Sequence, residues 1–374
     1  MTGPHPAAGI HAETVGSLLH AETLIRARRD FDEGKIDADA LRRVEDAEVL
    51  AAIALQERLG FKVITDGELR RNTYIDFVLS GITGVRLDWK VPEGPGRYRD
   101  ASGDEAQTPR PVPTVFDRIR RSPQSSGPAD FRYLAAHAKA LGKATIAGPA
   151  VIHFFGGRAA ISAEVYPRLD AFWSDLIAAY AEELRQLRAA GCTYVQFDET
   201  ALIKLVDPAI REWLTARGDD PDALLHLYVD VLKTIVGAAP ADMWLGLHLC
   251  RGNNRGTWQA AGGYDAIAQT VFGQLEVDVF NLEYDSPRAG SFEALRSLPA
   301  GRRAVLGLLS TKLRATEDAE AVIARIREAA RIVPLEHLGV SPQCGFWGGM
   351  NLCSPQEAEL KLRRVTEVAG RVWG

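Results

Sequence analysis

The sequence has few cysteines, no long apolar run and no strong excess of charge of either sign. Four cysteines in 374 residues are too few for the disulfide framework of a small secreted domain, and thiols in such a chain more often bind a metal or take part in catalysis. No apolar stretch approaches the roughly 20 residues that a transmembrane helix needs. A net charge of −5, without a basic stripe, argues against nucleic acid. We therefore expect neither a nucleic-acid partner nor a membrane.

The amino terminus lacks the features of a signal peptide. Residues 1–10 are rich in Pro, Gly and Ala and have neither a basic segment nor an apolar core. Together with the cysteine usage, this predicts a cytoplasmic protein. The hydrophobic content of 46% and the charged content of 25% are those of an ordinary globular protein with a large core.

Short apolar segments rich in β-branched residues alternate with longer amphipathic segments. In the longer segments apolar residues recur at helical spacing, as at Leu176, Tyr180 and Leu184. Alternating strands and helices predict parallel strands joined by right-handed crossovers. Eight such units favour a single (β/α)₈ TIM barrel over residues 1–374. An open doubly wound sheet is the alternative, but no GxGxxG follows an early strand. The predicted strands are residues 13–17, 62–65, 144–147, 194–197, 243–248, 277–282, 304–308 and 338–341.

One segment interrupts this alternation. Residues 84–130 are rich in Pro, Arg, Asp and Gly and show little helical periodicity. A long segment of this kind inside a compact domain is usually a functional lid or a mobile loop. We predict a structureless insertion after the second strand, on the rim that carries the other strand-to-helix loops, and we interpret it as an excursion rather than a second domain.

Metal-binding side chains follow several predicted strands at their carboxyl ends, where the active site of a (β/α)₈ barrel lies. His248 and Cys250 are two positions apart at the end of the fifth strand, so their side chains point to the same side of an extended backbone. Glu283 follows the sixth strand and Cys344 follows the eighth. One imidazole, two thiolates and one carboxylate suit Zn²⁺ and argue against Mg²⁺ or Ca²⁺. The sequence therefore predicts a zinc site at this rim.

Other reactive residues have two interpretations each. Cys192 and Cys353 are interpreted as small buried hydrophobic residues rather than ligands. His153 is either a proton donor or a hydrogen-bonded structural histidine. The polar, glycine-rich loop 251–256 either binds an anion or forms a turn.

Acidic residues also follow the predicted strands: Glu68 after the second and Asp198 after the fourth. An acid in this position often caps the next helix, and Asp198 could do so. Several acids around one barrel mouth would instead attract the ammonium group of an amino acid. Gly16 and Ser17, after the first strand, offer backbone N–H groups and a hydroxyl for its carboxylate. The spacing of these residues leaves both interpretations open.

These motifs together resemble the cobalamin-independent methionine synthase family, specifically its C-terminal catalytic barrel and the stand-alone, single-barrel bacterial relatives. The resemblance runs from near residue 11 to the C-terminal region, and the joint His-X-Cys, Glu and Cys pattern is highly specific. The matching segments are VGSLL at Val15, TDGELRRN at Thr65, AGP at Ala147, QFDET at Gln196, HLCRGN at His248, LEYD at Leu282 and SPQCGF at Ser341.

The resemblance implies a role for each of these residues. In the family the equivalent four side chains bind zinc, and the zinc activates homocysteine as its thiolate, which implies ligand roles for His248, Cys250, Glu283 and Cys344. The resemblance also implies that Gly16 and Ser17 contact the carboxylate of the amino acid. It further implies that Glu68 and Asp198 contact its amine.

The methyl-donor half of the family pattern differs in this chain. Full-length synthases carry an additional N-terminal barrel, which is missing here, and this weakens the expectation of a polyglutamylated methyl-folate donor. The Trp that follows the AGP-like segment and is associated with the folate is replaced by Phe154 and Phe155, so Phe155 is the candidate donor contact. After the seventh strand the family supplies a His as proton donor, whereas residues 307–312 contain none.

The leading hypothesis is a zinc-dependent S-methyltransferase that converts a thiol, homocysteine above all, into a thioether. The donor is expected to be a methyl-folate, a corrinoid, which would involve a corrinoid protein, or another small methylated compound. Two alternatives stay open. One is a zinc-dependent alkyltransferase that acts on a different thiol, by epoxide opening or in thioether biosynthesis. The other is a zinc-binding protein without catalytic activity.

Overall fold

A computed structural model describes residues 9–90, 98–99, 105–106, 110–347 and 352–374 of the chain. Within these ranges seven of the eight predicted strands are present, the segment 13–17 is not a regular strand, and five further strands, between residues 82 and 142, were not predicted. The strands are β1 (Val63–Ile64), β2 (Ile82–Lys90), β3 (Tyr98–Arg99), β4 (Glu105–Ala106), β5 (Arg110–Arg121), β6 (Leu141–Gly142), β7 (Ala144–Ala147), β8 (Tyr194–Glu199), β9 (Trp244–Leu249), β10 (Val279–Glu283), β11 (Arg303–Leu309) and β12 (Leu338–Pro342).

Parallel pairing builds the barrel. Six strands, β7 to β12, form one sheet in sequence order, and β1 pairs in parallel with β6 just before β7. The amino-terminal segment closes the other edge through a parallel bridge between Ala12 and Val340. Thr65 Oγ1 donates to the carbonyl oxygen of Gly16 at 2.7 Å and so joins this segment to the end of β1. The fold is thus the predicted (β/α)₈ barrel with an insertion after its second strand.

The first predicted strand, residues 13–17, is not a regular strand. Two of its carbonyl oxygens accept hydrogen bonds from side chains: Lys143 Nζ donates to the carbonyl of Thr14 at 2.6 Å and Gln196 Nε2 donates to that of Val15 at 2.8 Å. Because those carbonyls are already engaged, the segment forms no continuous ladder with β1. It keeps its place in the barrel through buried side-chain contacts.

The helices pack around the barrel by the faces that their periodicity predicts. In the helix Leu169–Ala189, for example, Leu176, Tyr180 and Leu184 are all buried. Ser354 caps the last helix in a capping box with Glu357. None of the helices in the described ranges is long and apolar enough to cross a lipid bilayer. The helices are α1 (Glu22–Asp32), α2 (Ala38–Arg58), α3 (Asp76–Ser80), α4 (Gly127–His137), α5 (Val151–Phe154), α6 (Leu169–Ala189), α7 (Pro208–Ala216), α8 (Pro221–Gly237), α9 (Ala268–Val271), α10 (Ala319–Ala329) and α11 (Pro355–Trp373).

The insertion is not structureless, and that prediction is wrong. Strands β2 and β5 pair in antiparallel register, and β3 pairs with β4; we call these four strands the arm. Gly84 at the bulge of β2 has φ of +82°, and a Cβ there would lie 2.6 Å from the carbonyl oxygens of Asp117 and Arg118. Pro113 lies within β5, and prolines of this kind hide an edge strand from sequence reasoning.

The arm contacts two loops at the carboxyl end of the barrel. Ser162, after β7, donates its backbone N–H to Val115 of β5 at 3.0 Å. Arg99 of β3 exchanges backbone hydrogen bonds with Trp258 at 2.6 and 2.9 Å. The loop that carries Trp258 begins just after Cys250, so the arm is attached to the loop that follows β9. Whether it closes as a lid stays a prediction.

Candidate functional site

The four predicted zinc ligands meet at the carboxyl end of the barrel. One potential ligand atom from each of His248, Cys250, Glu283 and Cys344 lies within 4.8 Å of every other. His248 lies in β9, Glu283 ends β10, and the two cysteines stand just beyond β9 and β12. Side chains from three parallel strands therefore converge on one point, as the barrel geometry requires.

Hydrogen bonds orient two of these side chains toward the centre. His248 Nδ1 lies 3.1 Å from the carbonyl oxygen of Asn281, which fixes the ring with Nε2 facing inward. Glu283 Oε1 accepts the backbone N–H of Arg251 at 3.0 Å. The other atoms, His248 Nε2 and Glu283 Oε2, are buried and make no hydrogen bond within the described ranges. Buried polar atoms without partners are rare, and an imidazole held through its other nitrogen is typical of a metal ligand.

The two thiols form a close pair. The Sγ atoms of Cys250 and Cys344 lie 3.5 Å apart. A hydrogen bond from Cys344 lowers the pKa of Cys250, and the same contact raises the pKa of Cys344. Burial raises the pKa of Glu283 to about 7. The set thus shares protons at neutral pH, which a bound cation would displace.

The remaining thiols and the uncertain polar residues have structural contacts. Cys192 donates to the carbonyl oxygen of Tyr194 at 3.2 Å, and burial raises its pKa to about 12. His153 Nδ1 lies 2.8 Å from the hydroxyl of Tyr228, and burial lowers the pKa of this imidazole to about 4. Arg251, which opens loop 251–256, is buried and donates to internal oxygens. These contacts favour the structural interpretations.

The four predicted ligands, His248, Cys250, Glu283 and Cys344, are together called the metal-ligand set. Two buried carboxyl groups lie beside it. Asp198 of β8 pairs in register with His248 of β9, and its Oδ1 accepts from Gln196 at 2.7 Å. Burial, reinforced by the Glu68 carboxylate, raises the pKa of Asp198 to about 7. Burial also raises the pKa of Glu68, which accepts from Thr145 at 2.8 Å. Among the residues that the structure describes, the Asp198 carboxyl does not bind the backbone of the segment that follows it; the next acid, Glu199, accepts the backbone N–H of Ala201 at 2.6 Å.

The predicted carboxylate contacts, Gly16 and Ser17, border the same region. A Cβ on Gly16 would lie 2.3 Å from Glu68 Oε1, so the Gly16 backbone and the Glu68 carboxyl are in direct contact. The hydroxyl of Ser17 accepts the backbone N–H of Trp347 at 3.2 Å. A Cβ on Gly345, the residue after Cys344, would lie 2.0 Å from Ser17 Oγ. These residues and the metal-ligand set therefore share one wall of the barrel mouth.

Most of the chain matches one protein family. Residues 114–371 match the family described as cobalamin-independent synthase, catalytic domain. The chain belongs to this family.

Several relatives and solved structures show the same likeness. The uncharacterized protein YxjH of Bacillus subtilis is 34% identical over 98% of this chain and 95% of its own length. The 5-methyltetrahydropteroyltriglutamate–homocysteine methyltransferase of Serratia proteamaculans is 26% identical, and the match covers 89% of this chain but 39% of that protein. A crystal structure of a putative vitamin-B12 independent methionine synthase from Listeria monocytogenes has a TM-score of 0.74 and 30% identity, covering 100% and 99% of the two chains.

A second solved structure supports the fold. The B12-independent methionine synthase of a Shewanella species, solved in complex with selenomethionine, has a TM-score of 0.70 at 18% identity, over 97% of both chains. This protein thus shares the catalytic barrel of the cobalamin-independent synthases. Membership of this family gives no support to a corrinoid protein as a partner.

Phe155, the predicted donor contact, lies beside a lysine and an arginine. It follows α5, and its ring lies 4.6 Å from the ammonium of Lys204. Its carbonyl oxygen accepts from Arg217 at 3.1 Å. The role of Phe155 in this member of the synthase family stays a prediction.

Two cations of the site were missed at the sequence level. Lys312 lies against the metal-ligand set: its Nζ is 3.6 Å from Glu283 Oε2. Burial lowers the pKa of Lys312, but the carboxylates of Glu283 and Asp285 outweigh that effect and raise it. The sequence did offer one indication of Lys312. It is the last residue of the stretch 307–312, where the synthase family is expected to carry a His and this chain has none.

Arg71 is the second cation. It donates to Thr145 Oγ1 at 3.3 Å, the hydroxyl that itself donates to Glu68. Burial lowers the pKa of Arg71, whereas the nearby carboxylates, that of Glu68 above all, raise it. The sequence indicated it only by position: Arg71 belongs to the matching segment TDGELRRN, three residues after Glu68. The acidic pair therefore has an internal counter-charge in addition to any substrate.

Proposed function

We propose that this protein is a zinc-dependent S-methyltransferase that methylates a thiol acceptor, homocysteine, to the thioether methionine. The observation that carries the proposal is the convergence of His248, Cys250, Glu283 and Cys344 within 4.8 Å. Its support is the membership of the synthase family and the name of the Serratia relative, a homocysteine methyltransferase.

The donor set fits zinc in number and in chemistry. Two sulfur atoms, one imidazole nitrogen and one carboxylate oxygen are the ligands that Zn²⁺ prefers in tetrahedral sites. His248 Nε2 and Glu283 Oε2, which make no hydrogen bond in the described part of the chain, would hold the ion together with the two cysteine sulfurs. A zinc ion bound there would lower the pKa of an acceptor thiol so that the thiolate persists at neutral pH.

The neighbouring residues would hold the amino-acid part of the acceptor. Glu68 and Asp198 are buried carboxyls beside the set and would accept hydrogen bonds from the ammonium group. The Gly16 backbone, which contacts the Glu68 carboxyl, and the Ser17 hydroxyl would meet the carboxylate. Holding both ends of the acceptor fixes the direction of its sulfur, and such positioning supplies much of the rate in a two-substrate reaction.

The proposed reaction is an in-line displacement at a methyl carbon. The acceptor sulfur forms a bond to the methyl carbon as the bond from that carbon to the donor breaks, and the electron pair of the broken bond stays on the donor. The donor is a methyl-folate or another small methylated compound. Phe155 is the proposed donor contact, at the position where the family carries a Trp.

Zinc content and zinc K-edge X-ray absorption test the proposal directly. We expect about one zinc per chain, the number that one four-residue set holds, and one added sulfur in its shell when homocysteine is supplied. If the number of sulfur ligands of zinc does not change when homocysteine is added, homocysteine is not the acceptor. An alkyltransferase that acts on a different thiol would then be favoured. A protein that neither contains zinc nor takes it up would exclude the proposal.

A further inference from the structure

The ammonium group of Lys312 is buried against the proposed metal centre without a hydrogen-bond acceptor. Its Nζ lies 3.6 Å from Glu283 Oε2, and the two side chains are 4% and 1% exposed. Within the described ranges Nζ makes no hydrogen bond. A buried ammonium is costly unless opposite charge lies nearby. The negative charge of the metal-ligand set, together with that of Asp285, therefore stabilises the buried ammonium of Lys312.

The turn that carries Lys312 is firmly attached. The backbone N–H of Lys312 donates to Ser310 Oγ at 3.2 Å, and that hydroxyl donates to Asp285 at 2.7 Å. The backbone N–H of Thr311 donates to Gln343 at 2.7 Å. Gln343 immediately precedes a ligand cysteine and Asp285 follows Glu283 by two residues. The backbone from which Lys312 extends is thus fixed relative to the ligands.

The charges of the filled site show what this ammonium does. Two thiolates and one carboxylate carry three negative charges. A bound divalent cation would reduce the net charge of the site to minus one, and the ammonium of Lys312 would bring it to zero. An acceptor bound as a thiolate then adds a single uncompensated negative charge, where without Lys312 there would be two. A thioether adds none. Because uncompensated charge is costly in a buried site, the lysine acts on the anionic sulfur and not on the neutral one.

We propose that Lys312 is a specificity-determining residue that makes the site prefer an anionic sulfur ligand, the thiolate acceptor, over a neutral sulfur ligand, the thioether product. The inference rests on the proposed function for the identity of both ligands. It also gives Lys312 a role in turnover. Once the sulfur carries the methyl group it is neutral, so the ammonium no longer favours its binding and the product is released more easily.

Homocysteine and methionine provide a matched pair of probes. They share the amino-acid group and differ at the sulfur, so any effect on the amino-acid pocket changes both affinities equally. The experiment measures the dissociation constants of both for the zinc-loaded protein by isothermal titration calorimetry. The variants are Lys312→Met, which keeps the length of the side chain without its charge, and Lys312→Arg, which keeps the charge. Lys233→Met, the same change at an exposed lysine of α8, is the control.

We expect Lys312→Met to weaken homocysteine about tenfold or more, the effect of an opposite charge at this range on an ionising group, and to leave methionine unchanged. Lys312→Arg should keep most of the preference, and Lys233→Met all of it. Equal losses for both ligands, or unchanged homocysteine affinity in Lys312→Met, would overturn the proposal. Loss of zinc from both Lys312→Met and Lys312→Gln would also overturn it, by assigning the lysine to metal retention.

A simple thiol separates this inference from the proposed function. In the cobalt-loaded protein, 2-mercaptoethanol bound as a thiolate is followed by its charge-transfer absorption. If the wild-type protein ignores homocysteine but binds 2-mercaptoethanol more tightly than Lys312→Met does, the role of Lys312 holds and the homocysteine assignment fails. A wild-type protein that binds no divalent metal would overturn both.

Discussion

The Sγ atoms of Cys250 and Cys344 lie 3.5 Å apart although 94 residues separate them in the chain. The barrel brings them together because both follow strands at the same rim. Two free thiols at this distance, beside an imidazole and a carboxylate, form half of a tetrahedral ligand set. The pair is therefore the part of the site whose removal tests the metal centre most directly.

Cys344→Ser should lose stoichiometric zinc and methyl-transfer activity together. A serine hydroxyl is a poor replacement for a thiolate, and since changes to residues that only support a ligand already cost about 10- to 100-fold in metal affinity, loss of a ligand should cost more. Zinc content and activity are measured on the same sample. Cys353→Ser is the control. Cys353 contacts the carbonyl oxygen of Leu313 and is not one of the four potential ligands, so this variant should retain zinc. Full activity in zinc-free Cys344→Ser would disprove the mechanism.

The barrel and the clustering of the four potential metal ligands were predictable because both depend on local patterns. Seven of the eight strands follow from apolar segments, and ligand residues at strand ends must meet at one rim in a closed parallel barrel. Residues 13–17 fail as a strand because Lys143 and Gln196 occupy their carbonyl oxygens. Such contacts across more than 100 residues leave no local signal.

The arm and Lys312 show a second limit of sequence reasoning. Prolines and charged residues in residues 84–130 resemble a loop, yet β2 and β5 pair along their length. The arm also contacts residues outside itself: Ile161 bridges to Val115 of β5 and Trp258 bridges to Arg99 of β3. Lys312 belongs to a stretch noted for a missing histidine, but only the folded chain shows that its ammonium faces Glu283.

Asp198→Asn should weaken acceptor binding and leave zinc in place. The carboxyl of Asp198 is buried next to Glu68 and would accept from the ammonium of the acceptor. Losing a charged hydrogen bond costs about 1.5–3 kcal/mol. The dissociation constant for homocysteine, measured by calorimetry with zinc content as the control, checks this. Unchanged affinity would remove Asp198 from the pocket.

Gly16→Ala should damage the acceptor pocket without unfolding the barrel. The new Cβ would lie 2.3 Å from Glu68 Oε1, so the carboxyl must move away from its present position. We expect the dissociation constant for homocysteine to rise by about tenfold or more, the scale of one lost polar contact. Gly237→Ala is the matched control, because nothing lies within 4 Å of a Cβ at that position. If both variants bind homocysteine equally well, Gly16 does not border the pocket.

The stability of the metal-free protein should fall as the pH rises from acid toward neutrality. Burial raises the pKa of Asp198 from 3.8 to about 7 in the folded state, so folding favours the protonated acid. For a raised carboxyl pKa, the contribution to stability is complete below the unfolded pKa and is lost as the pH rises toward the folded one. The free energy of unfolding, measured with urea from pH 4 to pH 8, should therefore decline across this window. Asp198→Asn cannot ionise and should decline less steeply; an identical slope in both proteins would show that Asp198 does not carry the effect.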